Sequence, residues 1–286
     1  MERPRRRPLR PTRRRARRWG AIPSIELALT FRRRRNLLIL LVLALVPVLV
    51  GVSVKVSGIG TGSGTGMLNQ VAGNGLFLVF ASLALTVPLF LPVAVGVVAA
   101  DQVAGDAADG TLRTVLAWPV GRTRLLAAKL LAAVVYAVAA TCTVALSALA
   151  IGSALFPMRD VTLLSGTTIP LSAAFGRALL IAGVVTCCMA GVAVLGLTIS
   201  TLTDSPATAL AGTIGLIVAA EIAGSIPQLG PVQPWLFSFD WLAFADLLRT
   251  PVYWGTISHS LWLQAGYALV ALSLAWARFT SRDLAV

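Results

Sequence analysis

Six long apolar segments constrain the fold of this 286-residue chain more than any other feature of its sequence. A helix needs roughly 20 apolar residues to cross the hydrocarbon core of a bilayer, where no water is present to satisfy the backbone. A soluble domain of this length has no core large enough to bury six such segments. The sequence therefore predicts an all-α polytopic membrane protein with six transmembrane helices. The predicted spans cover residues 36–55, 76–100, 130–156, 178–200, 207–227 and 259–277.

The positive charge of the chain is concentrated before the first span. The net charge is +13, yet only 12% of all residues are charged, and residues 1–35 hold 14 of the 24 Lys and Arg residues. Residues 1–20 are predicted to form a disordered basic arm that contacts anionic lipid headgroups. This arm lacks the interleaved aromatic residues that accompany nucleic-acid binding, so no nucleic-acid partner is expected. Residues 36–286 are predicted to form the six-helix domain.

The distribution of Lys and Arg among the loops predicts the orientation of the chain. Positive loops are retained on the cytoplasmic side of a membrane. The arm, the loop after the second span and the tail together carry 20 Lys and Arg residues, against 4 on the other side. Both termini are therefore predicted to be cytoplasmic, as an even number of spans requires.

A short amphipathic segment precedes the first span. Ile25, Leu29 and Arg32 recur at helical spacing, and four consecutive arginines follow at residues 32–35. This pattern predicts an interfacial helix within residues 21–35 that lies along the inner leaflet and leads into the first span.

The loop after the second span holds seven of the 19 charged residues that follow residue 35. Asp106 and Asp109 precede a run of helical periodicity that ends at Pro119. Within that run, Leu112 and Leu116 share one apolar side. A short amphipathic helix between two spans is suited to docking in a groove on a partner, although the same pattern is also compatible with a solvated turn.

The residue order of this loop resembles that of the ABC-2 type permeases, the membrane subunits of many bacterial ABC exporters. The shared pattern is an acidic residue, a three-residue gap, Gly-Thr-Leu, a leucine-rich turn, Pro-Val-x-Arg and a lysine at the start of the next span. The acidic residues here are Asp106 and Asp109, where Glu is commoner in the family. The segment with Glu26 ahead of an arginine cluster resembles the elbow helix of the same family.

This resemblance implies a permease subunit of the bacterial cytoplasmic membrane that exports a lipophilic or amphipathic compound by ATP-driven alternating access. The expected partners are an ATP-binding subunit, a second permease copy (identical or related) and membrane lipids. ATP and Mg would be bound by the partner subunit, so this chain is expected to hold no cofactor and no metal and to be no enzyme by itself. The residues implied in coupling to the ATPase subunit are Asp106, Asp109, Gly110, Thr111, Leu112, Arg113, Leu116, Pro119 and Arg122, with Glu26, Arg32 and Arg33 in the elbow.

Glu221 is the ionisable residue predicted to lie inside the membrane, in the fifth span. Ala211, Gly215, Ala219 and Ala223 recur every four residues beside it, and such a stripe of small residues is predicted to pack closely against another helix. Glu221 points to nearly the opposite side. It is therefore free either to line a substrate pathway or to form a hydrogen bond with another span.

An aromatic segment joins the fifth and sixth spans. Residues 230–255 contain seven aromatic side chains, which prefer the headgroup zone of a bilayer. The segment is predicted to form short re-entrant or interfacial helices. They would anchor the chain at the outer surface or, alternatively, gate the exit and contact a lipophilic substrate.

Two other functions are compatible with parts of the sequence. An ATP-independent secondary transporter could use Glu221 to carry protons. The stretch from Asp106 to Arg113 resembles the start of the acidic signature of CDP-alcohol phosphotransferases, which are membrane-embedded enzymes. However, residues 115–156 contain no Asp or Glu, so the further carboxylates that a two-metal site requires are missing from this stretch.

Overall fold

The computed structural model describes residues 21–57, 67–108, 121–163 and 165–281. Nine α-helices lie within these ranges. They are α1 (Ala21–Arg32), α2 (Arg34–Ser57), α3 (Met67–Gly73), α4 (Phe77–Thr86), α5 (Phe90–Ala108), α6 (Arg122–Leu155), α7 (Leu171–Leu202), α8 (Pro206–Ser225) and α9 (Trp254–Ser281). The strands β1 (Val161–Thr162) and β2 (Thr168–Ile169) pair antiparallel, and three 3₁₀ turns follow α8 at Pro227–Leu229, Gln233–Trp235 and Ala243–Leu248.

Six of these helices, α2 and α5 to α9, are long and apolar enough to cross a membrane. The prediction of an all-α polytopic membrane protein is confirmed. Several helices extend beyond the predicted spans. Helix α6 begins at Arg122 rather than at residue 130, and α7 begins at Leu171 rather than at residue 178. The apolar run identifies only the part of a helix that matches hydrocarbon, while the helix itself continues into more polar sequence.

The second span is interrupted, so its prediction as one helix over residues 76–100 is wrong. Helix α4 ends at Thr86 and α5 begins at Phe90. Two prolines cause the interruption, because neither Pro88 nor Pro92 has the N–H that would continue the helical hydrogen bonds. Helix α5 then continues to Ala108, through the part of the sequence that was predicted to be loop.

The spanning helices alternate in direction. Arg122 at the start of α6 hydrogen-bonds to Thr280 at the end of α9, and Lys129 of α6 contacts Glu26 of α1. The first and last described residues therefore lie at the same end of the bundle, which we call the α1 end. The turn between α4 and α5, the two strands and the 3₁₀ turns lie at the opposite end.

Helix α7 is the centre of the bundle, where it packs against α5, α6, α8 and α9. Small residues allow its close approach to α5 and α8. A Cβ added at Gly196 of α7 would lie 2.9 Å from Cβ of Ala99, and one added at Gly96 of α5 would lie 2.9 Å from Cγ2 of Thr213. Helices α5, α7 and α8 therefore meet at positions where only glycine, which has no Cβ, leaves enough room.

Within the described part of the chain, the small-residue stripe on α8 does not pack against another helix. Ala211, Gly215 and Ala219 are exposed, and the packed face of α8 lies elsewhere. The physical reason is that the small residues at this contact are supplied by α5 and α7, whose glycines accommodate larger side chains from α8. The buried residues of α8 are Ala209, Thr213, Ile217 and Ala220.

The segment between α8 and α9 folds into 3₁₀ turns rather than α-helices. Phe237, Trp241 and Phe244 are buried in the core, whereas Trp235 and Tyr253 are exposed. The aromatic residues thus divide between packing the end of the bundle and facing outward.

Candidate functional site

Six ionised side chains meet at the α1 end, where they join helices α1, α2, α5 and α6. We call this group the ionic cluster. It contains three acids and three bases, so its formal charges balance, as buried charges require. Its members are Glu26, Arg33, Arg35, Asp101, Asp106 and Lys129.

Lys129 lies at the centre of the ionic cluster. Its side chain is only 1% exposed, and its ammonium group contacts Asp106 and lies 3.3 Å from Oε2 of Glu26. Water cannot solvate this ammonium group, so the two carboxylates must replace the lost hydration. Helix α1 and helix α6 of the membrane domain are thereby joined through this lysine.

The arginines at the junction of α1 and α2 contact the two aspartates of α5. Arg33 contacts Asp101 and also places Nη2 3.4 Å from Oδ1 of Asp106, while Nη2 of Arg35 lies 2.8 Å from Oδ2 of Asp101. Asp106 stands in the last turn of α5, where the helix dipole disfavours a negative charge. The neighbouring cations compensate for this unfavourable position.

Neutral hydrogen bonds extend the ionic cluster into the core. Gln102 of α5 donates to the hydroxyl of Thr30 over 3.2 Å, and Asn36 of α2 donates to the carbonyl of Thr30 over 2.8 Å. The hydroxyl of Tyr136 of α6 donates to the carbonyl of Asn36 over 3.0 Å. The polar side of α1 therefore faces protein, whereas Ile25 and Leu29 point away from it, 57% and 52% exposed.

Ser200 of α7 connects the same part of α5 to the central helix. Its hydroxyl donates to the carbonyl of Ala100 over 2.5 Å and accepts from the N–H groups of Val103 and Ala104 over 3.0 and 2.9 Å. All of these groups are buried. One side chain thus bonds to three backbone groups of α5 within residues 100–104, next to Asp101 of the ionic cluster.

The predicted coupling segment begins and ends next to these contacts. On its N-terminal side, Asp106 belongs to the ionic cluster, and on its C-terminal side Nη1 of Arg122 donates to the carbonyl of Thr280 over 2.8 Å. Arg32, the last residue of α1, is exposed, while Glu26 is 8% exposed and faces Lys129. The remaining predicted coupling residues, Asp109, Gly110, Thr111, Leu112, Arg113, Leu116 and Pro119, lie outside the described residues.

Several members of this site were not predicted from the sequence. Asp101 was placed in a loop, and neither Arg35 nor Ser200 was singled out. Their partners are distant in sequence, 68 residues for Arg33 and Asp101 and 97 residues for Val103 and Ser200. The available signal was that Asp101 and Asp106 follow an apolar run directly, where a buried carboxylate needs a cationic partner.

A second site lies at the opposite end of the bundle. It is an open cleft of about 480 Å³ between the end of α8, the turn before α5, the aromatic segment and the start of α9. We call it the α8–α9 cleft. Glu221 and Ser238 both line this cleft, and both are half-buried. The other lining residues include Pro88, Phe239, Asp240, Trp241, Leu242, Asp246 and Thr256.

Side-chain contacts fix the position of the aromatic segment over the cleft. Asp240 has a positive φ of 61°, and its Oδ2 lies 3.0 Å from Nδ1 of His259. Gln264 of α9 donates to the carbonyl of Phe237 over 2.5 Å, and the hydroxyl of Thr256 donates to Asp246 over 2.5 Å. The start of α9 therefore holds the cleft wall in place.

Neither site has the geometry of a metal centre. Within the described ranges, no three His, Cys, Asp or Glu side chains are grouped so that they could hold a metal ion. The acids of the ionic cluster contact Lys and Arg, and those of the cleft are spread along its walls. The arrangement at the α1 end can transmit force between helices, and the cleft can bind a ligand.

Comparison with known proteins identifies one family. A family model described as ABC-2 family transporter protein matches residues 22–284. The match includes α1, all six spanning helices and the cleft. No curated protein matches the chain.

Proposed function

The chain belongs to the ABC-2 family of transporter proteins, and from this membership we propose that it is the permease subunit of an ATP-driven exporter. The family match over residues 22–284 is the observation that carries the proposal. A permease of this kind works with an ATP-binding subunit.

ATP is proposed to bind and be hydrolysed on the separate subunit, so the permease itself holds neither nucleotide nor Mg. The sequence has only two lysines and no phosphate-binding loop. Of these lysines, Lys129 is buried in the ionic cluster and Lys55 carries its ammonium group near the ring of Phe156. Neither is placed to contact the phosphates of a nucleotide.

The ATP-binding subunit is proposed to dock on residues 109–120. This segment is anchored at both sides, by the ionic cluster before it and by the Arg122–Thr280 hydrogen bond after it. A push on the segment would therefore reach α1, α5, α6 and α9 together rather than bend a free loop. The buried Glu26 acts within the ionic cluster, and the exposed Arg32 is the elbow residue available to the partner.

Alternating access is proposed to use α5 as the connection between the two sites. Asp101 and Asp106 lie toward one end of α5, and the turn with Pro88 at its other end lines the α8–α9 cleft. Closure of the ATP-binding subunits at the α1 end would then change the cleft at the opposite end. The α1 end is proposed to be cytoplasmic, as the excess of Lys and Arg at that end favours. Export is proposed from the resemblance of the loop after α5 to that of exporter permeases.

The assembly is proposed to lie in a bacterial cytoplasmic membrane, with both termini in the cytoplasm and two permease copies, identical or related, beside two ATP-binding subunits. The wide apolar faces of α2 and α9 suit contact with lipid.

The substrate is proposed to be lipophilic or amphipathic, because the α8–α9 cleft combines aromatic walls with carboxylates.

Co-purification tests the docking proposal. A tagged chain, purified in mild detergent, is expected to bring down a Walker-type ATPase, and the double variant Asp109→Asn/Arg113→Gln is expected to lose it. The matched control is Arg159→Gln/Asp160→Asn, which changes an exposed acid and base at the opposite end. Loss of the ATPase in the control, or its retention in the loop variant, would contradict docking on residues 109–120.

An ATP-independent secondary transporter is the second candidate function. The half-buried position of Glu221 in the cleft favours it, because a carboxylate there could exchange a proton. Transport by the purified chain that is driven by a proton gradient, without an ATPase subunit, and is abolished by Glu221→Gln would replace the first proposal with this one.

A further inference from the structure

The four consecutive arginines at the junction of α1 and α2 face alternate sides. Arg33 and Arg35 contact the aspartates of the ionic cluster, whereas Arg32 and Arg34 are exposed. Helix α1 ends at Arg32 and α2 begins at Arg34, and this break allows neighbouring arginines to face opposite sides. Two of the four guanidinium groups therefore contact acids of the protein, and the other two lie at the surface.

The two exposed arginines carry charge that the nearby protein does not balance. The acids of the ionic cluster are already matched by its own three bases. Within the ranges that the structure describes, no acidic side chain forms an ion pair with Arg32 or Arg34. Opposite charges attract, so this surface favours an anionic partner.

The exposed arginine of α2 begins an apolar face that follows the spanning helix. Leu37, Leu38 and Leu41 lie three, four and seven residues after Arg34, so the four side chains share one face, and all four are exposed. The buried residues of α2 lie on its other side, where it packs against α6. Because α2 is long and apolar enough to cross a membrane, this face suits acyl chains next to a positive charge.

Helix α1 has a similar face on the other side of the break. Ile25 and Leu29 lie seven and three residues before Arg32, and all three side chains are exposed. Glu26 and Thr30, by contrast, contact the protein. Two apolar faces therefore meet at two exposed arginines, which matches the charged headgroup and apolar chains of a phospholipid.

A second copy of this chain fits this end of the α2 face less well than a lipid does. A two-fold contact centred on the junction would bring the same arginines of both copies together, and like charges repel. An anionic phospholipid brings the opposite charge. Its phosphate oxygens also match the paired N–H donors of a guanidinium group.

We propose that the junction of α1 and α2 binds an anionic phospholipid. The guanidinium groups of Arg32 and Arg34 contact the headgroup phosphate, and the acyl chains lie along Leu37 and Leu41. The lipid holds the outer side of the junction, while the ionic cluster holds its inner side. This inference goes beyond the proposed function, because the site needs no partner subunit. Arg34 retains the lipid when Arg32 contacts the ATP-binding subunit.

Local fluorescence quenching tests this proposal. In a background without Cys142, Cys187 and Cys188, Leu41→Cys is labelled with a nitrobenzoxadiazole dye, and the full chain is reconstituted without any partner into equal mixtures of phosphatidylglycerol and phosphatidylcholine. A quenching doxyl group is carried on the acyl chain of one lipid or of the other.

Phosphatidylglycerol is expected to quench the dye more strongly, with a preference on the order of tenfold, because each arginine near a headgroup contributes about fivefold. Equal quenching by the two lipids would overturn the proposal. Weak quenching by both would mean that protein covers this face, and it would overturn the proposal as well.

Variants assign the preference to the junction. Arg32→Gln/Arg34→Gln is expected to lower it to less than about twofold, with a melting temperature near that of the wild type, because both side chains are exposed. The matched control Arg17→Gln/Arg18→Gln removes the same charge from the arm and is expected to leave the preference unchanged. An equal loss in both variants would show attraction by overall charge and would contradict a site at the junction. Co-purification with an ATPase is measured separately, so the failure of either proposal is distinguishable from that of the other.

Discussion

Lys129 is the residue on which the ionic cluster most depends. It is 1% exposed and contacts two carboxylates, Glu26 and Asp106. The variant Lys129→Met leaves the buried Glu26 and the partly buried Asp106 with one cation fewer. We expect this change to destabilise the protein by about 3–5 kcal/mol, because an unpaired buried charge keeps its full desolvation cost. Thermal unfolding of the purified chain in detergent measures the loss.

Two comparisons separate the charge of Lys129 from its packing. Lys55→Met removes the other lysine, which is exposed, and is expected to change the stability by less than about 1 kcal/mol. Lys129→Met combined with Glu26→Gln and Asp106→Asn is expected to recover part of the lost stability. If the triple variant is less stable than Lys129→Met alone, charge compensation does not explain the burial of Lys129.

Gly196 controls how closely α7 approaches α5. A Cβ at this position would lie 2.9 Å from Cβ of Ala99 and 3.2 Å from the carbonyl oxygen of Gly96. Gly196→Ala is therefore expected to cost about 1–3 kcal/mol through overpacking.

The matched control for Gly196 lies in the same helix. A Cβ added at Gly183 would have no neighbouring atom within 4 Å. Gly183→Ala is therefore expected to be neutral or slightly stabilising, because alanine is the better helix former. Equal melting temperatures for the two variants would contradict the close contact between α5 and α7.

Helix α5 is the element that connects the two sites. It has 19 residues and so spans about 28 Å. Ser200 fixes it to α7 by satisfying a carbonyl and two N–H groups of its backbone. Ser200→Ala leaves these groups buried without this partner, so a loss of about 1–3 kcal/mol is expected from the melting curve.

Ser273→Ala is the control for this element. It is exposed, and its hydroxyl donates to the carbonyl of Leu269 in its own helix. This change is expected to be nearly neutral. A similar effect of both substitutions would mean that Ser200 contributes no more than an ordinary helix-surface serine.

The elements could be predicted from the sequence to the extent that hydrophobic length defines them. Six apolar runs predicted six spans, because the bilayer thickness sets the length that a helix needs. The division of the second span was missed, although Pro88 and Pro92 were visible. Periodicity also did not identify the face of α8 that packs within the chain, because the glycine that receives Thr213 and Ile217 lies on another helix. The sequence pattern of one helix does not show which other helices will pack against it in the folded protein.

The site could be predicted only in part. Glu26, named through the family resemblance, belongs to the ionic cluster, and Glu221, named for its charge inside an apolar run, lines the α8–α9 cleft. The coupling role of the loop residues stays a prediction. The ionic cluster was not predicted, because its pairs join residues that are far apart in the chain, such as Lys129 and Glu26 at a separation of 103 residues. The charge of a residue does not show which oppositely charged residue will pair with it in the folded protein.

The whole molecule has one orientation that labelling can test. Ser281 lies at the α1 end and Ser165 at the opposite end. In a background without Cys142, Cys187 and Cys188, a membrane-impermeant maleimide added to intact spheroplasts is expected to label Ser165→Cys and not Ser281→Cys. The reverse pattern would place the α1 end outside and would exclude docking of a cytoplasmic ATPase there.

The central claim is that ATP on a partner subunit at the α1 end changes the α8–α9 cleft at the opposite end. Ser238 lines that cleft and is half-buried, so a thiol in Ser238→Cys reports on its opening. The measurement is the rate of maleimide labelling of this thiol in the purified complex with its ATP-binding subunit, with and without ATP and vanadate. The account predicts a severalfold change of rate on nucleotide trapping. An unchanged rate in a complex that hydrolyses ATP would contradict it.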